Sequence, residues 1–128
     1  MSRKIYVNLP VKELEKSKAF FSALGFGFFA PFTNESGACL IVGDNIFVML
    51  LSEPFFATFT DKAITDAKTS TEVLICISCA SRAEVDGLVR LALLAGGRAP
   101  RQPVEHDLMY GHGFEDLDGH VWELIYQP

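Results

Sequence analysis

The chain has no apolar run long enough to cross a bilayer, which takes about 20 consecutive residues. It also has no surplus of positive charge. Eleven Lys and Arg stand against 16 Asp and Glu, a net charge of −5. Neither a nucleic-acid backbone nor an anionic membrane surface is therefore an expected partner. Cysteine is scarce and odd in number, with three residues. That fits reduced thiols in a cytoplasm rather than a disulfide framework. Met1-Ser2-Arg3-Lys4-Ile5 leads straight into a strand pattern and holds no apolar signal region, so export is not expected. Nucleophile and phosphate signatures are missing as well. There is no Gly-x-Ser-x-Gly elbow, and Gly111-His112-Gly113-Phe114 lacks the lysine and helix of a phosphate loop. Cys76-Ile77-Ser78-Cys79 has redox spacing, but its first cysteine falls mid-strand rather than at a helix start. Two small buried residues are the expectation there.

What is present is ordinary globular material. The 128 residues are 49% hydrophobic and 21% charged, enough for one compact domain without metal or disulfide staples. Phenylalanine is the one excess, at 11 residues. Phe20, Phe21, Phe26, Phe28, Phe29 and Phe32 form one group, and Phe55, Phe56 and Phe59 another.

The periodicity predicts a strand over Lys4 to Leu9, ended by Pro10, and then a helix from Val11 to Leu24 closed by Gly25. Strands are expected over Phe26 to Phe32, Ala38 to Val42 and Ile46 to Leu51, the last two joined by the Gly43-Asp44-Asn45 turn. Residues 53–70 interrupt the pattern. After Pro54, Phe55 and Phe59 are spaced to share a face of a short helix. The order then repeats. A strand over Thr71 to Ser78 precedes a helix opened by the Ser81-to-Glu84 capping box. Its apolar stripe is Val85, Leu88, Val89 and Ala92, and Gly96 ends it. A weak edge follows over Arg98 to Val104, then strands over Leu108 to Glu115 and His120 to Tyr126. The prediction is α+β, two βαβββ modules with their two main helices on the convex side of one curved, eight-stranded mixed sheet. Module one covers 1–52, a linker or lid 53–70, and module two 71–128, within a single domain of 1–128.

Val7-Asn8-Leu9-Pro10-Val11, Ser17-Lys18-Ala19-Phe20-Phe21 and Leu24-Gly25-Phe26 carry a family resemblance. So does the ending Phe114-Glu115-Asp116-Leu117-Asp118-Gly119-His120-Val121-Trp122-Glu123-Leu124. In that order they resemble the vicinal oxygen chelate superfamily, which includes glyoxalase I, extradiol dioxygenases and bleomycin-resistance proteins. Leu117 stands where proline is common. The resemblance implies a cup, with ligand positions on the first and last strands of each module. Here those positions are Asn8, Val48, Cys76 and Glu123. Only Glu123 is a usual ligand type, so no metal and no other cofactor is expected.

Strand parity extends the cup face to Tyr6, Ile46, Leu50, Leu74 and Ile125. Tyr110 lies in a segment that lines the cup in similar sequences. The expected ligand-binding set is Tyr6, Asn8, Val48, Leu50, Phe55, Phe59, Leu74, Cys76 and Tyr110, with Glu123 as the candidate catalytic group. Histidines 106, 112 and 120 sit among acids. His120, however, is three strand residues from Glu123, which turns the two to opposite faces. The function implied is binding of a small organic molecule by a homodimer. The alternative is a lyase or isomerase of the glyoxalase I type with Glu123 as base or ligand.

Overall fold

The computed structural model describes residues 2–128, which divide into two compact units on either side of the Ile64–Thr65 junction. The first holds β1 (Ile5–Val11), α1 (Leu14–Ala23), β2 (Gly27–Phe28), β3 (Gly37–Gly43), β4 (Ile46–Ser52) and α2 (Glu53–Phe56). The second holds β5 (Leu74–Ser78), α3 (Arg82–Leu94), β6 (Val104–His106), β7 (Met109–Glu115) and β8 (Val121–Tyr126). Each unit is a βαβββ module whose four strands form one mixed sheet. The orders are β1-β4-β3-β2 and β5-β8-β7-β6, with the first and last strand of each module parallel.

In the first module, Leu14, Phe20 and Phe21 of α1 are buried, as is Leu24 at its end. They pack on the sheet face that carries Leu9, Val11, Ala38, Leu40, Val48 and Leu50, each 2% exposed or less. In the second, Val85, Val89 and Ala92 of α3 are buried and Leu88 half-buried. They cover a face built on Phe114, Trp122 and Leu124. The capping box holds. Ser81 Oγ accepts from the Glu84 amide at 3.0 Å, and Glu84 Oε1 accepts from the Ala80 amide at 2.7 Å. Gly25 and Gly96 end their helices at φ of +95° and +105°, where a side chain would be strained.

Several boundaries differ from expectation, among them the edge expected over Arg98 to Val104, which pairs at Val104–His106 and through an isolated bridge at Arg98. Pro10 lies inside β1, and α1 begins at Leu14 rather than Val11. The strand expected over Phe26 to Phe32 is two residues long, because Pro31 turns Ala30–Phe32 into a 3-10 helix. The strand expected from Thr71 starts at Leu74.

Candidate functional site

Register decides which side chains share a face, and in the second module it sets out three rows across the sheet. Leu74, Val121 and Glu115 form the first row, with Arg98 bridging to Glu115. Cys76, Glu123 and Gly113 form the second. Ser78, Ile125, Gly111 and Val104 form the third. All of these lie on the face opposite Trp122 and Leu124, which are completely buried.

The turn behind these rows is held by one carboxylate. Asp116, 6% exposed, accepts from the Asp118 and His120 amides and from Trp122 Nε1, each at 3.0 Å. Burial raises its pKa, while the nearby His120 and these hydrogen bonds act in the opposite direction. Gly119 closes the turn at φ +92°, and a Cβ there would meet the Ala67 and Lys68 backbone within 3 Å.

The rows frame a cleft of about 260 Å³. From 98 to 104 the chain takes six residue steps, while the facing strand takes four, from 115 to 111. The two extra residues bow the 98–104 segment away from β7. Pro100 and Pro103 in that segment offer no amide hydrogen to pull it back. Gly111 and Gly113 form the floor, since successive odd positions of β7 share this face and neither has a side chain. Met109, Val104, Val121 and Ile125 supply apolar walls. Arg101, Gln102, Glu115 and Glu123 supply the polar groups. A hydrogen bond of 2.9 Å from His112 Nε2 to the Arg101 carbonyl holds the bowed segment.

The structure brings Glu123, Cys76 and Leu74 onto one exposed face, as expected. It removes Tyr110, whose parity is that of Phe114 and Tyr126 rather than Gly111. Tyr110 donates to Asp86 of α3 and lies under the Arg82 guanidinium, 4.3 Å from its ring centre. Arg82 in turn pairs with Glu105. Tyr110 therefore clamps α3 to the strand edge and does not line the cleft. The residue of that segment in the cleft is its neighbour Met109.

Val48 and Leu50 are also corrected. They pair with Val7 and Leu9 and are 1% and 0% exposed beneath α1. Residues Phe47, Met49 and Leu51 share the face of Tyr6, Asn8 and Pro10. Ile46, paired with Ile5, goes with Val48 rather than with Tyr6. Val48 pairs with Leu40 of β3 as Trp122 pairs with Phe114 of β7, so the counterpart of Glu123 on β4 is Met49 and the position carried over from the resemblance is off by one. A slip of one residue turns every side chain of a strand to the other face.

The face that remains on module one is aromatic. Tyr6 stacks on Phe47 at 5.0 Å, Phe32 lies 6.5 Å from Tyr6, and Phe29 meets Phe32 edge-on at 5.0 Å. Phe55 and Phe59 share a face, with ring centres 5.1 Å apart, and both are exposed.

A divalent metal of the glyoxalase kind does not fit the donors present. On the relevant faces, module one offers the Asn8 amide opposite the Met49 thioether, and module two offers Cys76 opposite Glu123. The Cys76 thiol is pushed up by burial and then by Glu123, so it stays protonated at neutral pH. One carboxylate with an amide, a thioether and a thiol is not a set for zinc, nickel, manganese or iron. Among the described residues no three His, Cys, Asp or Glu side chains gather into a metal-holding group. Cys79 is not an activated redox partner either. Burial and then the Glu84 carboxylate push its pKa up to about 11.

Comparison with known proteins agrees with this architecture. Residues 3–43 match the family model described as bleomycin resistance protein-like N-terminal. A hypothetical protein from S. aureus is 29% identical in sequence. It superposes at a TM-score of 0.84 over 98% of this chain and 95% of its own. A glyoxalase-related enzyme from Fulvimarina pelagi gives 0.83 at 18% identity, covering 100% and 90%. A glyoxalase/bleomycin resistance protein/dioxygenase family enzyme from Burkholderia phytofirmans gives 0.80 at 17%, covering 99% and 100%. No curated protein matches. The chain thus shares the fold of these glyoxalase/bleomycin-resistance structures across both modules, while the family model itself covers residues 3–43.

Proposed function

We propose that this chain binds a small organic molecule in the cleft of its second module, without a resident divalent metal. The observation that carries the reading is the glycine-floored cleft itself, apolar in its walls and with a carboxylate in one of them. Ligand sites combine apolar lining with a few placed polar groups in this way. Glu123 meets a cationic or hydrogen-bond-donor group of the ligand. A glyoxalase-type lyase would pair Glu123, as a base, with a Lewis acid, and the donors described above do not supply one. Tyr6, Asn8, Phe55 and Phe59 belong to the same proposal as an exposed surface of module one on which a flat molecule stacks. The assembly we propose is a homodimer in the cytoplasm, and a concentration-independent monomer mass by light scattering would remove the dimer. No described helix is long and apolar enough to cross a membrane.

The test is titration with benzylamine, a single-ring organic cation, in the presence and absence of EDTA. Saturable binding that EDTA leaves unchanged and Glu123→Gln weakens about tenfold supports the reading. Binding that EDTA abolishes and zinc or nickel restores overturns the metal-free part. Absence of saturable binding overturns the proposal.

A further inference from the structure

The cleft carries two free charges of opposite sign, in different walls. Glu123 lies on β8, in register with Gly113 of the floor. Arg101 lies in the bowed segment on the far side of that floor. Between them runs β7, so the walls stand about two strand spacings apart, roughly 10 Å. The other charged groups nearby are engaged. Glu115 faces Arg98 at 3.9 Å, and Glu105, in the strand after the bow, pairs with Arg82. Among the described residues neither Arg101 nor Glu123 has an ion-pair partner. The Arg101 backbone is itself fixed, because its carbonyl accepts from His112. The base of the arginine is therefore held in place while its guanidinium is left without a carboxylate.

From this we infer that the cleft selects a small zwitterion with its opposite charges at opposite ends of an apolar body. The anionic end meets Arg101, the cationic end meets Glu123, and the body lies over Gly111 and Gly113 against Met109, Val104 and Ile125. A guanidinium suits a carboxylate because its fork donates two parallel hydrogen bonds. A cation alone leaves Arg101 unanswered, and an anion alone leaves Glu123 so. The floor is packed most tightly against β8 at Gly113. A Cβ at Gly113 would sit 2.8 Å from the Trp122 carbonyl oxygen, and at Gly111 3.5 Å from that of Leu124. The volume of about 260 Å³ lies just below the usual range for drug-sized ligands, which favours a single ring.

This inference rests on the cleft being the ligand site, and the experiment separates the two claims. Four probes share one ring: 4-(aminomethyl)benzoate, benzylamine, 4-methylbenzoate and toluene. Each is titrated into the full chain while the backbone amide signals of Gly111 and Gly113 are followed by NMR. The zwitterion is expected to bind about tenfold more tightly than either single ion, and each ion more tightly than toluene. Arg101→Gln should remove the advantage of the zwitterion over benzylamine and leave its advantage over 4-methylbenzoate. Glu123→Gln should do the reverse. Both residues are exposed, so both variants are expected to fold. Equal affinity for all four probes, or a preference that neither variant alters, overturns the zwitterion inference and leaves the cleft as an apolar site. If no probe moves either glycine signal, the cleft itself is overturned as the ligand site.

Discussion

The two modules share an element order and a strand order, yet they fill equivalent faces with different chemistry. On module one the face away from α1 carries Tyr6, Phe47, Met49, Cys39 and Leu51, with the Asn8 amide and the Tyr6 hydroxyl as polar groups. On module two the face away from α3 carries Cys76, Glu123, Glu115 and Ser78, with two glycines where β7 passes. The backbone does not explain the contrast, since both sheets pair in the same order. The side chains do. Four aromatic rings in succession, Phe47, Tyr6, Phe32 and Phe29, cover the first surface, whereas Gly111, Gly113 and the bow at 98–104 open the second. A repeated topology fixes where side chains point, and the residues placed there decide whether a face becomes a platform or a pocket.

The sharpest way to break this comparison is to test the faces of β4 directly. Val48→Glu puts a carboxylate beneath α1 with no partner, and should cost more than about 4 kcal/mol or prevent folding. Met49→Glu places the same group beside Asn8 on the half-buried opposite face, and should cost far less. Urea unfolding of the two variants checks this, and equal losses would mean that the assignment of faces is wrong. Next in size is the hairpin of module two. Asp116→Ala leaves the Trp122 indole and two backbone amides without their acceptor, an expected loss of about 3 kcal/mol. Its pKa is raised by folding, so on this group alone stability is greatest below the unfolded value and declines as pH rises through the folded one. The declining segment should flatten in Asp116→Asn.

A smaller effect is expected at the aromatic pair of module one. Phe59 is 64% exposed, so Phe59→Ala should leave thermal stability within about 1 kcal/mol while weakening capture of a flat ligand. A loss of about 3–5 kcal/mol would show the ring to be core. The smallest effect is kinetic. With its pKa near 11, about one Cys79 thiol in a thousand is ionised at pH 8. Alkylation by iodoacetamide, followed by mass spectrometry, should be slow there and accelerate up to about pH 11. A plateau near pH 8 would show an activated thiol.

Much of this was legible in the residues. Apolar spacing located both main helices, and the Ser81-to-Glu84 spacing located the start of the second. The resemblance supplied Cys76 and Glu123, and parity on β5 added Leu74 to their face, where the regular pairing of β5 with β8 keeps all three. The position carried over from the resemblance failed on β4, where residue 48 falls one short of the exposed face, and parity then carried Leu50 inward with Val48. Tyr110 came from the resemblance alone, and its partners on α3 sit beyond any local pattern. The cleft left one local signal that was missed: glycines at 111 and 113, two apart on a strand, leave one face bare.

The sequence by itself determined the two βαβββ modules, their helices and caps, and the poverty of metal donors. Those follow from periodicity, turn residues and side-chain chemistry, all of which act locally. Only the tertiary structure decided which alternation of β4 faces the helix, that Asp116 holds the indole of Trp122, and that Arg101 and Glu123 stand in facing walls of one cleft. Those depend on pairing across the sheet, packing against the helices and, for the cleft, two extra residues between Arg98 and Val104, none of which a single strand contains.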